Sequence, residues 1–313
     1  MLKQAQITQF RTEGFLVVED VLPAATLDAV RAEYAELLDK LYARWEGEGR
    51  APGGDDLSFW GKLSASYAAG CDWFQPMDIS LPGGEIAPDC PMHFGPAIFD
   101  LVVQDRLLDL VEGLIGPEIT SNPIQHVRIK PPGVDLPDDE IRAHITSTDW
   151  HQDRGVGHAD ADATDMVTAW VAITDATVEN GCLQVVPGLG DLLPHCPQVQ
   201  TAIAPQHLDT SRAVPLPLRA GGVVLFHPLV PHASLPNRSD GFRWSFDLRY
   251  NVTGQPTGRA HFPSFIARSV VAPDTELRDW RVWRDMWFAA RDRLAAQAHI
   301  PIHRWDADSP VCA

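Results

Sequence analysis

Apolar positions along this chain change their spacing twice. After a short apolar run, Gly14-Phe-Leu-Val-Val18, they recur at three- and four-residue steps as Leu27, Val30, Tyr34, Leu37, Leu38 and Leu41. The run reads as a strand and the stripe as an amphipathic helix. Residues 98–115 show the helical period again through Leu101, Val102, Leu107, Leu108, Val111 and Leu114, and stop at Gly116-Pro117, a glycine–proline exit signal. Between these stripes, residues 46–96 are rich in Gly and Pro, carry Phe59, Trp60, Tyr67, Trp73 and Phe74, and have no period. An irregular, aromatic segment of that length is expected to be an ordered loop beside a pocket. From about residue 119 short apolar runs alternate with turns. Residues 125–129, 166–173, 182–186, 222–226 and 244–250 are parted by signals such as Glu179-Asn180-Gly181 and Pro187-Gly188, the pattern of an all-β barrel or sandwich. A last helix is expected over 274–297, with Leu277, Trp280, Trp283, Trp287, Ala290 and Leu294 on one stripe. No repeat or linker intervenes. The pattern predicts one mainly β domain over 1–313 with helices packed around its core.

Composition narrows the partners. A length of 313 residues allows one large core, and a formal net charge of −17, with no basic run against it, disfavours nucleic acid and anionic membranes. It also weighs against a polyanionic substrate such as an acyl-CoA. No apolar stretch approaches the length that spans a bilayer, and the N-terminus turns polar at once, with no export signal. Five cysteines form no C-x-x-C pair and are odd in number, which fits a reducing compartment better than a disulfide framework. The expectation is a cytoplasmic protein acting on a small-molecule substrate.

The candidate chemistry begins at His151-Gln152-Asp153. On a strand, residues i and i+2 share a face, so this pair presents an imidazole and a carboxylate to one ion. The spacing occurs three times, as His151/Asp153, His158/Asp160 and His207/Asp209, and spacing cannot choose among them. Context favours the first. Trp150 precedes it and an apolar strand follows from Val167, whereas His158 lies in a polar run and His207 in a connection without strand pattern. Downstream, an apolar strand ending at Phe226 leads to His232 and Ser234. His227 competes for the second histidine role, but Pro228 and Pro231 part it from His232, and it reads as structural. Two imidazoles and one carboxylate occupy one face of Fe(II) and leave the other positions open. Arg243, at the head of the next strand, offers a planar and permanently charged fork for a carboxylate.

These blocks, in this order, resemble the phytanoyl-CoA dioxygenase family of Fe(II)/2-oxoglutarate oxygenases. The resemblance runs through Ile129-Lys-Pro-Pro-Gly133, Trp150-His-Gln-Asp153, Ala169-Trp-Val-Ala-Ile-Thr-Asp175 and Glu179-Asn-Gly-Cys-Leu-Gln-Val-Val-Pro-Gly188. It continues through Gly222-Val-Val-Leu-Phe-His-Pro-Leu-Val-Pro-His232 and Ser234-Leu-Pro-Asn237 to Arg243. It implies a double-stranded β-helix, a cupin-like jelly roll whose mouth holds the metal. That core is expected over 119–262, after a helical part at 1–118 and before a C-terminal helix and tail at 263–313. By resemblance His151, Asp153 and His232 are the Fe(II) ligands. Arg243 pairs with the distal carboxylate of 2-oxoglutarate, Ser234 supports it, and Trp170 and His126 line the cosubstrate site. The family's Ser-His after Pro-Gly is replaced here by Leu189-Gly190, and residues 134–148 form a longer connection expected to fold over the mouth.

Family chemistry implies an oxidation by O₂ coupled to release of succinate and CO₂, most simply a hydroxylation. Asp153 argues against halogenation, since chlorinating relatives carry a small residue there. The aromatic segment points to an apolar substrate, with Trp60 and Trp73 as wall contacts, or equally to a structural cluster in which both pack the N-terminal helices. The alternative is a cupin-like protein holding zinc or nickel without oxygenase activity; Arg243, Ser234 and Asn237 speak against it, because a plain metal module has no use for a carboxylate fork.

Overall fold

Helix α1 (Gln4–Glu13) ends at Gly14, whose φ of +81° turns the chain into β1 (Phe15–Val18). A Cβ at Gly14 would meet Leu189 and Val230 at 2.7–3.0 Å, so this turn requires glycine. The computed structural model describes residues 2–312 other than 134–135, 137–144 and 198–199. The N-terminal part continues through α2 (Ala24–Gly47), α3 (Phe59–Ala68), α4 (Phe74–Met77), α5 (Pro96–Val102) and α6 (Asp105–Ile115). Next come β2 (Ile119–Lys130), β3 (Met166–Ala172), β4 (Leu183–Val185), β5 (His195–Pro197), β6 (Thr201–Ile203) and β7 (Val214–Leu216). The chain closes with β8 (Val223–Phe226), β9 (His232–Ser234), β10 (Arg243–Val252), β11 (Phe265–Arg268) and α7 (Trp280–Ala295).

The strands form a six-stranded antiparallel sheet in the order β1-β8-β3-β10-β2-β11 and a three-stranded sheet β7-β4-β9. The pleat sorts side chains into two cores. Val127, Ile129, Ala169, Val171, Trp244, Phe246, Leu248 and Tyr250 face the helical layer of α2, α5, α6 and α7. Trp170, Ala172, Val224 and Phe226 face the small sheet, against Leu183, Val185, Leu216 and Leu218. This is the jelly roll expected from the sequence.

Several boundaries differ from the pattern reading, each for a local reason. The segment 46–96 holds α3, started by the Ser58 hydroxyl accepting from Gly61 N at 3.2 Å, and the short α4. The 98–115 stripe is two helices, because the Gln104 side chain caps Leu107 N at 3.1 Å and starts α6 afresh. The last helix begins at Trp280 rather than 274, where Asp279 caps Arg281 N at 2.9 Å. The expectation of no disulfide is corrected at one pair: Cys196 of β5 is bonded to Cys312 of the tail, while Cys71, Cys90 and Cys182 are free and buried. That bridge joins parts 116 residues apart, a pairing no local spacing announces. Among the described residues no helix is long and apolar enough to cross a membrane.

Trp60 and Trp73 are corrected as well. Trp73 is 1% exposed in the helical core, and Trp60 stacks on Phe242 at 5.1 Å and meets Phe59 at 4.8 Å. Both lie on the helical side of the large sheet, away from its inner face. Trp73→Ala is therefore expected to cost about 3–5 kcal/mol of stability, the scale of a buried tryptophan truncation. Denaturant unfolding measures it, and Fe(II) binding of the folded fraction is expected to stay at the wild-type level.

Candidate active site

Strand β10 supplies much of the site through its alternation. While Trp244, Phe246, Leu248 and Tyr250 fill the helical core, Arg243, Asp247 and Arg249 line a cavity of about 490 Å³ between the sheets. His126 and Arg128 of β2, Thr168 and Trp170 of β3, and His232 and Ser234 of β9 line the same cavity. The register explains the convergence. Arg243 is opposite Lys130, Asp247 opposite His126 and Trp170, and Arg249 opposite Thr168.

His151, Asp153 and His232 are the group of metal-ligating side chains found among the described residues, their ligand atoms within 4.8 Å of one another. His151 is not on a regular strand. It makes a single antiparallel bridge with His232, with N–H···O distances of 3.0 and 2.9 Å, and Asp153 opens a 3-10 turn to Val156. That bridge holds the two imidazoles with ring centroids 4.2 Å apart. Nδ1 of His151 faces Asp149 O at 2.8 Å and Nδ1 of His232 faces Val230 O at 3.1 Å. A carbonyl only accepts, so each Nδ1 is the protonated nitrogen and each Nε2 presents a lone pair. The two Nε2 atoms are 3.7 and 3.8 Å from Asp153 Oδ1. Burial, then the nearby His232 ring, pushes the His151 imidazole down to about 3, which keeps it neutral and able to ligate. For Asp153 burial raises the carboxyl, but Arg249 and the two histidines outweigh it and hold it below the ordinary carboxylate range. Two imidazoles and an ionised carboxylate fit a divalent ion.

Arg249 and Thr168 escaped the sequence reading. The Arg249 guanidinium pairs with Asp153 Oδ1, and the Thr168 hydroxyl donates to Oδ2. Arg249→Leu is expected to weaken Fe(II) binding about 10–100-fold, the usual cost of removing a hydrogen-bond partner of a metal ligand. A metal titration at neutral pH measures it. Tighter binding in the variant would instead mark Arg249 as a competitor for the ion's place.

Arg243 is 2% exposed, lies over the Trp170 ring at 5.1 Å and donates to Ser245 Oγ at 2.6 Å. No carboxylate pairs with it among the described residues, and burial lowers its guanidinium to about 10. Lys130, 2% exposed, donates to Ser234 Oγ and to Leu235 O, both at 2.7 Å, and burial followed by Arg243 depresses its ammonium strongly. Ser234 Oγ also accepts from Thr148 N at 2.8 Å. The cluster is buried, and no carboxylate pairs with its two basic groups among the described residues. His126 lines the cavity with Nδ1 held by Asp78 at 2.8 Å. Asn237 does not; its amide ties Pro131 O and Gly241 O and shapes the turn before β10.

The rival histidines stand elsewhere. His227 caps its own turn, accepting from Leu229 N at 3.2 Å, and His158 holds Pro301 O at 2.7 Å. Neither these nor His207 line the cavity. Most of 134–148, expected over the mouth, lies outside the described residues. A wall not foreseen comes from the tail. Ile302 and His303 line the cavity, while Arg304 donates to Gly157 O at 3.0 Å and Arg154 O at 2.8 Å. Trp305 donates to Gly155 O at 2.6 Å and stacks on His195 at 5.1 Å, and His195 Nε2 accepts from Gln152 N at 3.0 Å. The tail thus grips the turn that carries His151 and Asp153.

Residues 95–245 match the profile of the family described as Phytanoyl-CoA dioxygenase (PhyH). A Caenorhabditis elegans protein named as a probable phytanoyl-CoA dioxygenase is 31% identical over 265 residues, covering 80% of this chain and 75% of its own. In fold the chain is similar to the apo form of ThoJ, a non-haem monooxygenase, with a TM-score of 0.59 at 21% identity over 93% of this chain and 97% of that one. It is also similar to EvdO2 from Micromonospora carbonacea complexed with 2-oxoglutarate, with a TM-score of 0.51 at 21% identity over 81% and 92%.

Proposed function

The chain belongs to the phytanoyl-CoA dioxygenase family of non-haem Fe(II)/2-oxoglutarate-dependent dioxygenases, and from that premise we propose how its own residues divide the work. His151, Asp153 and His232 hold Fe(II). Arg243 takes the distal carboxylate of 2-oxoglutarate, with Ser234 and Lys130 beside it and Trp170 and His126 as walls. The bound iron supplies oxidation by O₂ coupled to conversion of 2-oxoglutarate into succinate and CO₂. The protein orients the reactants and keeps the cavity dry. The outcome is hydroxylation of a small molecule whose apolar body meets Ile124, Val156 and Ile302.

The observation that carries this reading is the buried Arg243, without a carboxylate partner among the described residues and in one cavity with the His/Asp/His cluster. Burying a guanidinium unpaired is costly, and a dicarboxylic cosubstrate removes the cost. A zinc- or nickel-holding module leaves it unexplained. Fe(II)-dependent release of succinate from 2-oxoglutarate, stimulated by a substrate from a metabolite screen, tests the proposal. Binding of zinc with no succinate release under any substrate would overturn it.

A further inference from the structure

Four arginines line the cavity: Arg128, Arg243, Arg249 and Arg259. Arg128 is neutralised by Asp247 at 2.8 Å and Arg249 by Asp153. Arg243 is accounted for by the cosubstrate in the reading above. Arg259 is left over. It is 4% exposed, and its Nη2 donates to Val156 O at 2.9 Å and Ile302 O at 3.2 Å. Its Nε and Nη1 have no hydrogen-bond partner, and no carboxylate pairs with it, among the described residues. Two carbonyls, and the Phe262 ring 5.7 Å from the guanidinium, orient the group but do not neutralise its charge. Burial, then the neighbouring Arg249, lowers the group to about 9, which leaves it charged at neutral pH. The surroundings sharpen the contrast, because a chain of formal net charge −17 had many acids to place beside it.

We propose that the primary substrate carries an oxyanion, a carboxylate in the simplest case, which pairs with Arg259 where the Val156 and Ile302 carbonyls hold its guanidinium. The inference rests on the oxygenase reading and adds the substrate class: a small organic acid whose apolar body lies toward the His/Asp/His cluster. The tail then has a part in recognition, since Arg259 is held against Ile302 and reads the substrate from beside it. The competing reading is that Arg259 only ties two loops together.

The test starts with wild-type protein, Fe(II) and 2-oxoglutarate without oxygen, followed by the charge-transfer absorption of the iron–2-oxoglutarate chelate. Matched aryl and alkyl carboxylates and their primary amides are then titrated in, and the shift of that absorption is read. The expected result is an acid that binds about tenfold or more tighter than its amide, the scale of a charge-assisted pair. The preference should vanish in Arg259→Gln and persist in part in Arg259→Lys, which keeps the charge without the fork. If no chelate absorption forms, the oxygenase reading fails and takes this one with it. If it forms but amides bind as well as acids, or the acid preference survives in Arg259→Gln, only the Arg259 assignment is overturned. Should the Gln variant not fold, the wild-type comparison and Arg259→Lys still decide.

Discussion

His232→Ala is expected to abolish Fe(II)-dependent succinate formation, and His151→Ala and Asp153→Ala are expected to do the same. The expected fall in metal affinity exceeds about a hundredfold, since even an outer hydrogen-bond partner of a ligand costs about 10–100-fold. The geometry makes the three inseparable. His151 and His232 are joined by a backbone bridge, and both Nε2 atoms converge on Asp153 Oδ1. Loss of any one leaves two protein ligands where the cluster offers three. His158→Ala, His207→Ala and His227→Ala are the controls, since none of these side chains lines the cavity. Fe(II) titration beside succinate assay separates loss of metal from loss of turnover. Normal iron binding in His232→Ala, with loss in His227→Ala, would overturn the assignment.

The second large effect is expected at Arg243. Arg243→Leu should retain Fe(II) yet lose 2-oxoglutarate, by about 1.5–3 kcal/mol for the charge-assisted bonds removed, which is roughly 10–150-fold in Kd. Arg243→Lys should fall between, because the ammonium keeps the charge but not the planar fork that rests on Trp170. The ordering argues against a purely structural role. Arg243 packs at the end of β10, and a packing defect would be no milder for lysine than for leucine. An unchanged cosubstrate titration in Arg243→Leu would move the role to another cation, with Lys130 next in line.

How much of this could be read from the chain depended on where the signal was local. The inward residues His151, Asp153, His232, Ser234 and Arg243 stand in short motifs on strands or next to them, and the structure gathers all five into one cavity. The apolar run 244–250 likewise announced a strand, which the structure places at β10. Arg249 is also in that run, yet nothing nearby in sequence marks its pairing with Asp153, 96 residues away. Asp78, which holds His126, sits in the segment where Gly and Pro hide α3 and α4 from periodicity. The tail wall was invisible for the same reason. Residues 300–305 have no hydrophobic period, and the Arg304 and Trp305 side chains grip 154–157 by donating to backbone carbonyls, acceptors that every sequence has. Trp60 and Trp73 misled because an aromatic cluster looks alike beside a pocket and under a helix.

The two-faced character of β10 has a consequence for how such a protein diversifies. Its odd positions Arg243, Asp247 and Arg249 line the cavity and its even positions hold the helical layer, so the shape of the chamber and thermodynamic robustness are written on alternate letters of one strand. Substitutions at Asp247, or at its partner Arg128, can re-tailor the chamber while the packing of Trp244, Phe246 and Tyr250 is left alone. A single-residue deletion inside the strand has no such freedom. It would exchange the two faces beyond that point, sending guanidinium groups into the apolar layer and indole and phenyl rings toward the iron. Lineages built on this scaffold should therefore tolerate many replacements along β10 and almost no change in its length.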